Sequence, residues 1–155
     1  KRYAAFSRQV GTVAGTLAVK WFKSSFANQG FNNTGTAERW KARNPRAKRN
    51  KGRAILVDSG RLRRSIRIVQ KGPNWAVVGT DVPYAEAHNA GFTGTAAVNV
   101  KTFRRKSRKG NMHQVKSHTR TANINIPRRQ FLGTSEALNA EIARELVKRL
   151  QRLGF

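Results

Sequence analysis

The chain has 155 residues and a mass of 17.4 kDa, with 32 Lys plus Arg against 7 Asp plus Glu and a formal net charge of +25. That length suits one domain with its own core rather than two, and a charge far beyond what solubility requires calls for an anionic partner. The absence of Cys excludes disulfides and thiolate metal sites and fits synthesis in a reducing cytoplasm, while no segment approaches the roughly 20 apolar residues that a membrane-spanning helix needs.

From Tyr3 to Asn28, Phe6, Val10, Val13, Leu17 and Trp21 recur at three- and four-residue steps with Phe22 and Phe26 beside them, which predicts a long helix with a core-facing stripe over residues 1–29. Inside it, Gly11-x-x-x-Gly15 marks a close approach by another element, since Arg8 and Lys20 bound too short an apolar stretch for a bilayer. Asn28-Gln29-Gly30 supplies the stop, with Gly30 suited to the left-handed conformation. Residues 30–55 read as a basic loop or arm, ordered only by a partner: from Arg39 to Arg53 it holds Arg39, Lys41, Arg43, Arg46, Lys48, Arg49, Lys51 and Arg53 with no acid between them. Trp40, between Arg39 and Lys41, is readable either as packing or as a stacking platform for bases. Trp21 and Trp75 fall on predicted core faces.

Residues 56–133 carry three motifs. In LVDSGRLRRSI, Asp58-Ser59-Gly60 is a turn signature that starts a helix or reverses the chain. Leu62, Ile66 and Ile68 then alternate with Arg63, Ser65 and Arg67 as in a half-buried strand. After the Lys71-Gly72-Pro73-Asn74 turn, Trp75 to Gly79 reads as the partner strand of a hairpin. In VGTDVPYAEAHNAG, Pro83 can open a short helix and Gly91 close it, with Tyr84, Ala87 and His88 on one face. The third motif is IPRRQFLG, Ile126 to Gly133.

Between the second and third motifs, Val98 to Phe103 and Ala122 to Ile126 alternate like strands around a polar excursion tipped by Gly110-Asn111, which predicts a long projecting hairpin. Its distal part, residues 101–120, holds Lys101, Arg104, Arg105, Lys106, Arg108, Lys109, Lys116 and Arg120, and no acid occurs from Ala87 to Ser135. The last element, residues 134–153, is a helix capped by Thr134, with Leu138, Ile142, Leu146, Leu150 and Leu153 on its apolar face. The expected architecture is α+β: long amphipathic helices at both ends packed on a small antiparallel sheet, plus the basic hairpin.

The three motifs in this order, with an amphipathic helix on each side, resemble the phage virion-morphogenesis or tail-completion family of tailed phages. The residues that carry the resemblance are Asp58, Ser59, Gly60, Arg61 and Leu62, then Tyr84, His88 and Gly91, then Pro127, Arg129, Phe131, Leu132 and Gly133. Ser59 stands where the family often has Thr. The resemblance implies a structural virion protein of the neck or tail end, which completes the tail and joins it to the DNA-filled head. It further implies a ring of copies of itself, six being a candidate number, with neck, connector and tail-tube proteins as neighbours and the packaged DNA in the channel.

The charge itself admits three readings: phosphate contacts with affinity gained by counterion release, solvated loop faces, or Arg-rich arms docked on acidic neighbouring subunits. The hairpin cations are the candidate DNA or partner contacts, and Arg39, Trp40, Lys41, Arg43, Arg46, Lys48 and Arg49 a candidate arm for wrapping a neighbouring subunit. An alternative function is general nucleic-acid binding of ribosomal or nucleoid type. Catalysis is not expected. His88 lies near Asp81 and Glu86, but Ser59 lacks a nucleophile-elbow context, and His88 is expected to bond a neighbouring backbone group. His113 and His118 lack the Cys or carboxylate partners of a metal set, so no cofactor or metal is expected.

Overall fold

The computed structural model describes residues 2–44 and 52–154 as an α+β fold of helices and two-stranded antiparallel sheets. In chain order these are α1 (Arg2–Ser7), α2 (Val10–Asn28), β1 (Gly30–Asn32), β2 (Ala37–Arg39), α3 (Arg61–Ser65), β3 (Arg67–Lys71), β4 (Ala76–Gly79), α4 (Ala85–Ala90), β5 (Phe92–Val100), β6 (Phe103–Lys106), β7 (Met112–Val115), β8 (His118–Ile126) and α5 (Glu136–Arg152).

The centre of the body is α2. Its two glycines let the β3–β4 ribbon lie directly on the helix backbone. A Cβ on Gly15 would come within 2.8 Å of Ile68 Cδ1 and 2.9 Å of Ala76 Cβ, and one on Gly11 would strike the Gly72 carbonyl, while Gly11 N donates to Pro73 O at 2.8 Å. The expected unbroken helix from Tyr3 is interrupted by a turn at Arg8–Gln9, so α1 and α2 are separate. The buried face of α2 runs through Gly11, Val13, Gly15, Phe22, Ser25 and Phe26, leaving Val10, Leu17 and Trp21 half-buried at its edge. The small residues, invisible to a stripe of large apolar ones, mark the tightest contact.

The left-handed residue that stops α2 is Gln29 at φ 52°, not Gly30. Gln29 is held there by its side chain, which donates to Phe26 O and accepts from Ile55 N, both at 2.5 Å. Gly30 instead opens β1, where it is buried opposite Arg39 and a Cβ would meet the Glu38 carbonyl.

The core joins Phe22, Phe26, Phe31, Trp40, Leu62, Ile66, Val82, Ala85, Phe131 and Leu138. Phe26 stands between Trp40, edge-on at 5.5 Å, and Phe131 at 5.4 Å. Trp40 is thus a core residue, and its indole Nε1 donates to Gln130 O at 2.7 Å. The segment expected as a free arm is therefore tied down on its N-terminal side: β1 pairs with β2, and the Arg43 guanidinium donates to Arg53 O at 2.8 Å and Ala54 O at 2.7 Å. One aromatic side chain with a short strand pairing anchors what the surrounding charge suggested was loose.

Three further expectations are corrected. Leu62 to Ser65 is helical, and the strand begins only at Arg67; the four-residue step from Leu62 to Ile66 satisfies the helical period as well as the strand period, and the left-handed Gly60 at φ 76° starts a helical turn closed by Arg64 N to Gly60 O at 3.0 Å. The cap of α5 is Ser135 rather than Thr134: its hydroxyl accepts from Leu138 N at 3.1 Å and donates to Asn32 O at 2.8 Å, so it both caps the helix and ties it to β1. Trp75 is 49 % exposed, folded over Gly72 at the β3–β4 turn rather than into the core.

Candidate functional site

Two places gather the candidate residues, and they are built differently. The first is the hairpin. β5 and β8 pair without interruption from Phe92↔Ile126 to Val100↔His118, and β6 and β7 continue from Phe103↔Val115 to Lys106↔Met112. The tip closes through Ser107 N to Asn111 O at 2.7 Å, with Gly110 at φ 92°. At about 3.4 Å per residue, each side has a contour of about 50 Å. Among the described residues no helix or other sheet makes an extended contact along it.

Strand alternation puts Gly94, Ala96, Val98 and Val100 with Ala122, Ile124 and Ile126 on one face and Thr and Asn residues on the other. Lys101, Arg104, Arg105, Lys106, Arg108, Lys109, Lys116 and Arg120 are all exposed. Among the described residues none of them takes part in an ion pair. The hairpin histidines are engaged locally and do not converge: Arg105 Nε donates to His113 Nε2 at 3.0 Å, and His118 Nδ1 lies 2.9 Å from Lys116 O.

The second place is where the three motifs meet. Arg129 N donates to His88 O at 2.8 Å, tying the third motif to the second. Asn89 does the rest of the joining: its side-chain oxygen accepts from Phe131 N and Leu132 N, each at 2.9 Å, and its amide donates to Leu132 O at 3.1 Å. Gly91, at φ 83°, lets Arg128 pass so close that a Cβ would sit 3.0 Å from its backbone nitrogen. Pro127, Phe131, Leu132 and Gly133 then carry the chain from β8 across the core to α5, with Phe131 fully buried.

Beside these connections opens a cavity of about 600 Å³ whose wall includes Ser59, Arg61, Tyr84, His88, Arg129 and Arg43. Its apolar side is Ile55, Leu56, Val57 and Leu62. Arg129 is only 8 % exposed, and its Nε donates to Lys41 O at 3.1 Å. Burial, followed by the nearby Arg43 cation, pulls its pKa down. His88 packs edge-on to Tyr84 at 6.0 Å. Its Nδ1 is buried without a hydrogen-bond partner among the described residues, so the bond expected for it there is not made. Burial and then Arg129 hold its pKa below the usual histidine value, leaving the ring neutral at pH 7.

Asp81 pairs with Arg67 at 3.3 Å rather than with His88, and the Ser59 hydroxyl accepts from Arg61 N at 3.3 Å. Asp58, the carboxylate on the cavity wall, is paired with Arg53. Of the expected wrapping arm, Arg39, Trp40, Lys41 and Arg43 lie on the body, and Arg46, Lys48 and Arg49 lie outside the described residues. Sequence reasoning passed over Asn89, whose only signal was a turn-forming residue inside a six-residue helix.

A family model described as the phage virion morphogenesis family matches residues 2–151. No curated protein and no solved structure matches.

Proposed function

From the premise that this chain belongs to the phage virion morphogenesis family, and so serves in building the phage virion, we propose that it is a non-catalytic protein of the neck or tail end. In this reading it completes the tail and joins it to the filled head, as one subunit of a ring around the DNA channel. The observation that carries the reading is the hairpin. A two-stranded ribbon gains little stability in water by itself, and here it extends from the body with a cluster of exposed cations at its distal end. Such an element acquires its function in an assembly, where a neighbouring subunit or packaged DNA supplies both the packing surface and the negative charge.

The test is electron microscopy of particles made when this gene is disabled in its source genome. Filled heads accumulating beside separate, otherwise mature tails are expected. Normal joined virions would remove the neck role.

General nucleic-acid binding is the second reading, favoured by the same exposed cations. Under it the isolated chain binds any duplex tightly, with log K falling by about 0.9 per phosphate contact for each decade of salt. Ring formation with weak duplex binding supports the neck role instead.

A further inference from the structure

We propose that the cavity where the three motifs meet receives an acidic side chain of another virion protein: an Asp or Glu flanked by apolar residues, its carboxylate seated on the Arg129 guanidinium. The inference takes from the preceding reading only that the partner belongs to the virion.

The Arg129 charge has no counterion among the described residues. Beyond the bond from Nε to Lys41 O, its side chain makes no hydrogen bond or ion pair there, which leaves both Nη groups for a ligand. The adjoining Arg43 and the rim residue Arg61 are cations as well, and among the described residues the wall's one carboxylate, Asp58, is paired with Arg53. Residues 45–51, PRAKRNK, contain no acid that could fold over and neutralise it. A largely buried guanidinium without an anion is costly, and a bidentate carboxylate is the partner whose geometry matches its fork. His88 lines the same wall, so its ring reports on a carboxylate bound beside it, while its buried Nδ1 makes no hydrogen bond among the described residues.

The opposite side selects a peptide over a nucleic acid. Ile55, Leu56, Val57 and Leu62 offer apolar surface beside the cations, which suits a carboxylate on a chain with apolar neighbours and gives a sugar-phosphate backbone nothing to bond. A second copy is a poor source. The chain has 7 acids in all, and Asp58, Asp81, Glu141 and Glu145 are already ion-paired, which leaves few carboxylates for this pocket.

The experiment follows the Arg129 Nε–Hε signal and the His88 ring nitrogens of the full chain by NMR during titration with acetyl-Gly-Leu-Glu-Leu-Gly-amide. Parallel titrations use its Gln counterpart, inorganic phosphate and a short DNA duplex. The Glu peptide is expected to shift both sets of signals, with the Gln peptide about tenfold weaker or more, since a neutral amide cannot make the charge-assisted bond. In Arg129→Lys, read from the His88 ring nitrogens alone, most of the Glu-peptide shift should disappear. Should that variant fail to fold, Arg61→Gln on the exposed rim should weaken the Glu peptide several-fold. Equal binding of the two peptides, no shift with either, or a stronger response to phosphate or duplex at these nuclei each overturns the proposal. Because the readout is peptide binding, its failure leaves the head-to-tail joining result untouched, and joined virions in the gene disruption leave the pocket result untouched.

Discussion

The hairpin and the motif cavity are both basic, yet they hold their charge in opposite ways. On the hairpin eight cations stand in water on strands that touch chiefly each other. In the cavity Arg129 is buried, pinned by its own Nε and by its backbone bond to His88, and flanked by apolar surface. Exposed charge of the first kind attracts any polyanion over a distance set by salt. Recessed charge of the second kind discriminates by shape, because only a group that fits the fork and the wall recovers the desolvation. One region recruits and the other selects, and mutations should separate them.

The largest expected contrast is in stability. Phe131, in the same motif as Arg129, is fully buried in the core beside Phe26; Phe131→Ala should cost about 3–5 kcal/mol. Phe103, 43 % exposed on the hairpin, should cost under about 0.5 kcal/mol when made Ala, as surface substitutions usually do. Urea unfolding of both variants checks this, and a comparable cost at Phe103 would mean that the hairpin packs on the body in solution.

Glycines sharpen the same contrast. Gly11→Ala drives a methyl into the Gly72 carbonyl, a backbone atom with little room to move, and should destabilise by about 1–3 kcal/mol. Gly94→Ala on the hairpin meets only the far end of the Phe92 ring at 2.9 Å, which can swing away. Thermal melts should therefore separate the two by several degrees.

A smaller effect comes from His88. Burial and Arg129 lower its pKa in the folded chain, while in the unfolded chain it returns to about 6.5. The unfolded state takes up the proton first as pH falls. Hence the stability that neutral His88 supplies is complete above about pH 6.5 and disappears as pH drops through the folded pKa. Tm should fall with acidification over that window at constant ionic strength, and His88→Asn should flatten that part of the fall.

How far these regions could be read from sequence follows from the same physics. The hairpin was legible because strand alternation, a Gly-Asn tip and an acid-free run are all local signals, and β5 and β8 extend that pattern toward the body. The terminal helix was legible for the same reason, down to an error of one residue in its cap. The cavity was not, although most of its polar lining was singled out motif by motif. What brings Ser59, His88 and Arg129 together is Asn89 holding Phe131 and Leu132 across 42 and 43 residues of sequence, and Trp40 reaching Gln130 across 90. Such links leave no periodic trace. Trp40 was obscured by its neighbours Arg39 and Lys41, and Leu62 by a spacing that two periods share.

The smallest expected effect on stability is the most informative about function. Replacing Arg104, Arg105, Lys106, Arg108 and Lys109 together by Ser removes five exposed like charges that make no ion pair among the described residues. Unfolding free energy should stay within about 0.5 kcal/mol or rise slightly as repulsion is relieved. Duplex binding tells the rest. If these residues meet phosphate, the slope of log K against log salt should shrink by about 0.9 for each phosphate no longer neutralised. If they dock instead on an acidic neighbouring ring, the slope holds while virion titre and DNA retention fall. Unchanged titre, retention and slope together would remove the hairpin from the mechanism and leave the recessed Arg129 cavity as the place where this chain meets its partners.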